Sequence, residues 1–382
     1  MNSQKPSMPR DYRQVLALSS TYNGVVTPVP RISSDQAEQI AIKYYGVRGN
    51  AERLGAEYDD TFRLVTTDFS RLLKISVTGD QADGVSFQTS ILLHLASAAP
   101  ELPVQRVIPA LDGAPEVRIS DGEGPARLVR LTSWLDGELL GSAATSSALR
   151  RELGATLARL NLALRGLRHP GAQRTHLWDL QNLRRLRALL DELPASGMLP
   201  DIERALRTDV TAGISGGGLR AGLADCIDRF DAVVSPVLAE TATQVIHTDF
   251  HGENLLTDGR RVTGILDFGD ALTGPVAMDV GVAACYQLST GTDMLNPALD
   301  VVAGYHVVDP LNAGDLTLAA EFMVARVAAR IIVAQWNATR EPANHEYLLR
   351  STPQAIEHFA ALRLLPPDEI ARSFRAVCEE NQ

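Results

Sequence analysis

Apolar positions along the chain recur first at helical spacing, then at every second residue, and then at helical spacing again. The first stripe (Ala37, Ile40, Ala41, Tyr44) opens on a Ser33–Gln36 capping box and stops at Gly46, which predicts one short helix. Residues 1–30 before it are rich in Ser, Pro and Thr, hold no period and read as an N-terminal arm. Strand signals follow at Arg53–Leu54, Thr61 to Thr67 and Leu72 to Val77, with a turn near Asp68. Residues 84–98 predict a helix, and 104–109, 115–120 and 126–132 predict strands. Residues 31–131 thus read as a compact β-rich lobe with one main helix.

Past Trp134-Leu-Asp-Gly137 the period changes, and residues 132–137 read as a single crossing into a second lobe over 138–382. Leu149, Leu153, Leu157, Leu160 and Leu164 make a long stripe, and residues 180–193 another. Gly213 to Gly218 reads as a connector before a helix at roughly 220–239, and 276–289, 315–338 and 351–362 are again helical. No internal repeat occurs. The expected class is α+β, a small antiparallel β-rich lobe joined to a large, mostly helical one, with a cleft between them where small molecules usually bind.

One stretch of the second lobe breaks the helical pattern. In His247-Thr-Asp249-Phe-His251-Gly-Glu253-Asn254, followed by Asp267-Phe-Gly-Asp270, a carboxylate precedes an amide by five residues and a second carboxylate by eighteen. Asp258-Gly259 between apolar runs predicts a tight two-residue turn, so the arms run antiparallel and Asn254 meets Asp267 near the open end. Phosphoryl transfer needs such a set: a base for an attacking hydroxyl, and oxygen ligands holding magnesium against nucleotide phosphates. Asp249 is the candidate base, Asn254 and Asp267 are the candidate metal ligands, and His247 is expected to brace the loop. Two other readings compete: a transition-metal site in His247, Asp249 and His251, and a hairpin whose polar residues merely cap turns.

Composition narrows the partners. The 382 residues are 45% hydrophobic, enough for a real core, and the formal net charge of −10 speaks against a nucleic-acid partner while suiting a cationic small substrate. Cys226, Cys285 and Cys378 are odd in number and far apart, so neither a disulfide framework nor a zinc module is indicated. With no apolar signal core and no membrane-length run, a cytoplasmic protein is expected. Oligomeric state is not legible.

On the other side of the cleft, Lys74 lies in a strand with Leu73, Ile75 and Val77 on the opposite face. It follows a loop at Leu54-Gly55-Ala56-Glu57-Tyr-Asp59-Asp60, whose backbone N–H groups at Gly55 and Ala56 are the candidate phosphate contacts. The three acidic residues there should repel phosphate unless they point outward. Kinases usually pair such a lysine with a glutamate on the next helix. Here Gln88 occupies that position and is expected to orient Lys74 by a hydrogen bond.

Taken together, these segments resemble the aminoglycoside phosphotransferase and choline kinase superfamily, and within it the hydroxylysine kinase-like branch. The likeness covers roughly residues 31–365, through Leu54 to Phe62, Leu73-Lys-Ile75, Phe87 to Leu95, Leu128 to Gly137, Leu177-Trp178-Asp179 and the catalytic stretch. The resemblance implies a protein-kinase-like two-lobe fold. It implies Asp249 as catalytic base, Asn254 and Asp267 as magnesium ligands, Lys74 as phosphate contact and Asp279 as a structural brace of the catalytic loop. It makes Val129 to Ser133 the hinge strand, with Leu131 and Ser133 presenting backbone groups to the adenine. Thr248 and Glu253 depart from the glycine (or, at 248, asparagine) common in relatives. Glu253, Trp336, Glu346 and Tyr347 are the candidate acceptor contacts, with Glu341 and Asn344 nearby. The implied activity is ATP- and magnesium-dependent transfer to the hydroxyl of a small, amine-bearing metabolite of the hydroxylysine type, with GTP as the other nucleotide open. An aminoglycoside, homoserine or choline-type acceptor, or a nucleotide-binding scaffold without turnover, are the alternatives.

Overall fold

The computed structural model describes residues 31–55, 59–78, 82–120, 126–143, 145–193, 216–291, 293–366 and 368–380. The expected N-terminal arm, and Ala56 and Glu57 of the phosphate loop, lie outside the described residues.

Helix α1 (Ser34–Tyr45) forms where the capping box places it. Ser33 Oγ accepts from the Gln36 N–H, Gln36 Oε1 accepts from the Ser33 N–H, and Gly46 ends the helix in the left-handed region (φ 68°). It covers one face of a six-stranded sheet built from β1 (Asn50–Arg53), β2 (Asp60–Val65), β3 (Ser70–Val77), β4 (Val107–Ile108), β5 (Val117–Ile119) and β6 (Arg127–Ser133). The order is β1-β2-β3-β6-β4, antiparallel throughout, with β5 also pairing along β6. Strand alternation sends Phe62, Leu64, Leu73, Ile75, Val129 and Leu131 into the core beneath α1. It turns Lys74 to the opposite face, directly across from Arg130 of β6.

Helix α2 (Ala82–Ala98) straddles the two lobes, because its buried Phe87, Ile91 and Leu95 join the core of the helical lobe. That lobe contains β7 (Glu138–Leu139), α3 (Ser147–Leu164), α4 (Leu186–Glu192), α5 (Gly216–Val233), α6 (Ser235–Leu238) and β8 (Gln244–Ile246). The hairpin β9 (Leu255–Thr257) and β10 (Val262–Ile265) comes next, then β11 (Leu272–Gly274) and α7 (Val276–Cys285). Helices α8 (Asn296–Val308), α9 (Ala313–Arg340), α10 (His345–Leu349), α11 (Thr352–Arg363) and α12 (Glu369–Glu379) complete it. The strands form two small sheets, β10-β9-β7 and β11-β8. The hairpin is fixed to the segment after α2, where the Ile265 N–H donates to the Pro103 carbonyl at 2.8 Å.

Three expectations need correction. Helices α8 and α12 were not foreseen; Ala298, Val301, Val302, Ala303 and Tyr305 are all buried, so α8 shows no single stripe against a polar face. Gly216 to Gly218 start α5 rather than a connector, because the helix gains burial of Leu219, Leu223, Ile227 and Phe230; residues 213–215 lie outside the described residues. The hairpin turn is wider than two residues. Asp258 Oδ1 accepts from the Arg260 and Arg261 N–H groups, and the Asp258 N–H reaches the Arg261 carbonyl at 3.4 Å. An aspartate that captures the N–H groups two and three residues on forms its own turn and lengthens the loop.

Candidate functional site

Strand β8 leads directly into the loop that carries the candidate base, and Asp279 of α7 holds the exit. The buried Asp279 carboxylate accepts from the His247 N–H at 3.0 Å and the Thr248 N–H at 2.6 Å. Burial pushes its carboxyl above the usual range, against the pull of His247 and the two N–H groups. His247 is fully buried; Nε2 bonds the Leu266 carbonyl at 3.0 Å and Nδ1 accepts from the Asp249 N–H at 3.2 Å. Thr248 adopts φ 67°, a left-handed conformation that is costly for a β-branched residue, and its hydroxyl donates to the Asp270 carbonyl at 2.8 Å. A glycine would take this backbone without strain but could not make that bond.

Held this way, Asp249 becomes the centre of a polar cluster. Its Oδ2 accepts from Asn254 Nδ2 at 2.7 Å and lies 3.1 Å from His251 Nε2, while Oδ1 accepts from Arg326 Nη2 at 2.5 Å. Burial alone would raise its carboxyl, but His251, Arg326 and His247 outweigh burial and hold it well below the usual carboxylate range. Both ring nitrogens of His247 and of His251 already have partners, in the loop or at the Leu266 carbonyl, so the three-residue transition-metal reading has no support from their geometry.

Asn254 and Asp267 meet at the open end of the hairpin, where the Leu266 N–H donates to the Asn254 carbonyl at 2.8 Å. Asn254 spends its Nδ2 on Asp249, which leaves its amide oxygen as an acceptor. Asp267 sits at φ 51°, takes the Gly269 N–H on Oδ1 at 2.9 Å, and keeps a half-exposed side chain. The Lys74 charge, opposed by burial, pulls its carboxyl down. An ionised carboxylate and a neutral amide oxygen at a cleft are a hard, all-oxygen donor pair of the kind magnesium takes.

Several expectations for the nucleotide side are revised. Lys74 Nζ lies 2.9 Å from Asp59 Oδ2 and 3.6 Å from Asp267 Oδ1; these carboxylates overcome burial and raise its pKa. Asp59 of the acidic loop therefore supplies the brace assigned to Gln88, whose Oε1 instead accepts from Arg130 Nη2 at 2.9 Å. The cause is the register: Arg130 stands across from Lys74, between the lysine and α2. Leu131 lies between Leu73 of β3 and Ile108 of β4, with its side chain in the core. Ser133 is tied to Arg106, donating its N–H to the Arg106 carbonyl at 2.8 Å and accepting the Arg106 N–H on Oγ at 2.9 Å. Gly55 is exposed, and a Cβ there would touch nothing.

The acceptor side also differs. Trp336 is 2% exposed and donates Nε1–H to Glu192 at 2.7 Å, so its face is a core surface. Arg350 binds Glu253 at 2.9 Å and stacks over Tyr347, occupying both groups expected to meet a cation. Glu346 is exposed on α10. The side chains actually gathered at Asp249 are Arg326 of α9, Tyr286 after α7, and Trp178. Tyr286 stacks on His251 with centroids 4.4 Å apart and accepts from Arg326 at 2.9 Å. Trp178 lies 4.6 Å from the Arg326 guanidinium. The available signal was an arginine inside the apolar stripe of a helix, at Phe322, Met323, Ala325, Arg326 and Ala329.

The profile of the phosphotransferase enzyme family (APH) matches residues 50–322. Hydroxylysine kinase from Danio rerio is 24% identical over 355 residues, covering 90% of this chain and 95% of the relative. Hydroxylysine kinase from Mus musculus is 23% identical, covering 87% and 90%. Among solved structures, a microcompartment-associated aminopropanol kinase superposes with TM-score 0.60 at 17% identity, covering 89% of this chain and 97% of that one. A spectinomycin phosphotransferase bound to ADP and spectinomycin gives 0.57 at 13%, covering 92% and 100%. The fold is the kinase-like two-lobe fold.

Proposed function

Because the chain belongs to the phosphotransferase enzyme family, and so is a kinase acting on a small-molecule hydroxyl group, we propose that it transfers the γ-phosphoryl of ATP, with magnesium, to an amine-bearing metabolite of the hydroxylysine type. The observation that carries this reading is a partly buried, ionised Asp249 facing Asn254, with Asp267 and Lys74 at the same cleft.

In this reading Asp249 accepts a hydrogen bond from the acceptor hydroxyl and takes its proton as the new O–P bond forms and the β–γ bridging bond breaks. A carboxylate has about four lone-pair sites, so its present donors leave room for one more. Its low basicity makes orientation the larger part of its contribution, as expected for phosphoryl transfer. Asn254 Oδ1 and Asp267 would hold magnesium, which when bound offsets charge on the phosphate oxygens. Lys74, released from Asp59 or Asp267 by the phosphates, supplies a second positive charge. With Leu131 and Ser133 engaged inside the sheet, the adenine edge is assigned to the backbone of Trp134 to Asp136.

The test is incubation of the full chain with γ-labelled ATP, magnesium and a panel of hydroxylysine, homoserine, choline, ethanolamine and aminoglycosides, followed by product mass. Phosphorylation of an amine-bearing acceptor well above ATP hydrolysis is the expected result. Nucleotide binding with no phosphorylated product from any acceptor would contradict it.

A further inference from the structure

The charge lining the acceptor side of Asp249 is opposite to what a purely cationic acceptor needs. Glu253, the nearest acidic residue in the catalytic loop, is paired with Arg350. Around the Tyr286 ring stand two guanidiniums one helical turn apart on α9, Arg326 at 5.4 Å and Arg330 at 4.7 Å from the centroid. Arg326 is 3% exposed and bonds Asp249 and Tyr286 through Nη2, while Nε and Nη1 have no partner among the described residues. The Asp270 carboxyl also lies within electrostatic reach of Arg326. Arg330 is half-buried, with the Tyr286 ring and the Cys285 thiol as neighbours, and has no carboxylate partner among the described residues. The Arg326 Nε–H and Nη1–H groups are withdrawn from water without an acceptor, which is costly, and a carboxylate is the group whose geometry either guanidinium matches.

We infer that Arg330, supported by Arg326, is a specificity residue that selects acceptors carrying a carboxylate in addition to the reacting hydroxyl. The inference rests on the hydroxyl-kinase reading of Asp249. One turn of helix, ~5.4 Å, separates Arg330 from the arginine on Asp249. An acceptor would thus place its hydroxyl at Asp249 and its carboxylate at Arg330 across a short aliphatic chain. The Tyr286 ring, which touches both His251 and Arg330, forms the wall along that chain. Amino alcohols without the carboxylate would leave Arg330 unmatched and bind more weakly.

Arg326 touches Asp249, so the test uses Arg330→Met and Arg330→Lys in the full chain. Hydroxylysine is compared with its carboxamide and its decarboxylated amino alcohol, reading kcat and KM for each. The wild type should favour the acid over the amide by about tenfold or more, mostly in KM, since a site built for a polar group rejects its absence strongly. Arg330→Met should bring the two within about twofold, and Arg330→Lys should fall between. Equal use by the wild type, discrimination unchanged in Arg330→Met, or a loss shared equally by all three acceptors would overturn the inference while leaving the kinase reading intact. If none of the three is phosphorylated, the hydroxylysine-type acceptor of the proposed function is what fails, and calorimetry decides the inference alone. Tighter binding of the acid than of the amide, lost in Arg330→Met, supports it; equal binding refutes it.

Discussion

At Thr248 a left-handed backbone and a hydroxyl serve the same loop, one at a cost and the other as a gain. Thr248→Val keeps the β-branch and removes only the bond to Asp270, so it should lose about 1–2 kcal/mol in chemical denaturation. Thr248→Gly also relieves the strain and should lose less; the reverse order would remove the hydroxyl from the account. His176 offers a pH-dependent check. It is buried, its Nε2 bonds the Asp270 carbonyl at 2.9 Å, and its Nδ1 accepts from the Trp178 N–H at 3.2 Å. Burial, helped by the charge of Arg174, lowers its pKa to about 3. The unfolded chain therefore binds a proton that the folded one does not between pH ~6.5 and about 3, so stability falls as pH falls through that window. His176→Gln should flatten the slope between pH 6.5 and 4 by up to ~1.4 kcal/mol per pH unit; an unchanged slope would contradict the assignment. Asp249, Asn254 and Asp267 were legible because they lie close together in sequence and their chemistry is specific. Arg326, 77 residues from Asp249, carries no local mark of its partner.

At the level of elements, helices α3 and α8 approach so closely that glycine is required on both. A Cβ at Gly154 would fall 1.9 Å from the Val301 carbonyl oxygen, and one at Gly304 would fall 1.9 Å from that of Arg151. Each contact is to backbone, so neither helix can yield locally. Gly154→Ala or Gly304→Ala should cost ~3 kcal/mol, read as a lower denaturation midpoint, despite alanine's better helix propensity. A midpoint at or above wild type would mean the helices are not packed so closely. Strand alternation and capping made α1, β2, β3 and β6 readable. Helix α8 was not, because a helix buried on all sides presents no stripe. Gln88 shows the same limit in another form: its spacing along the helix was right, but sheet register gave it to Arg130.

Across the whole molecule, the two lobes meet at a row of ionic groups running from Asp59 through Lys74 and Asp267 toward Asp249 and Arg326. Each lobe could be read from its own periodicity, and the candidate site's stretch from its motif. The remaining side chains gathered at Asp249 could not, because Trp178, Tyr286 and Arg326 come together only when separate segments of the chain pack. Trp336 and Tyr347 stand in the stretch where the resemblance puts acceptor contacts, but tertiary packing gives them to Glu192 and Arg350. No described helix is long and apolar enough to cross a membrane. The most direct measurement is phosphoryl transfer by Asp249→Asn on the acceptor that the wild type uses, beside its affinity for ATP. The account predicts a fall in kcat of about 10²–10⁴-fold with nucleotide affinity within a few-fold of wild type. Transfer near the wild-type rate would contradict it.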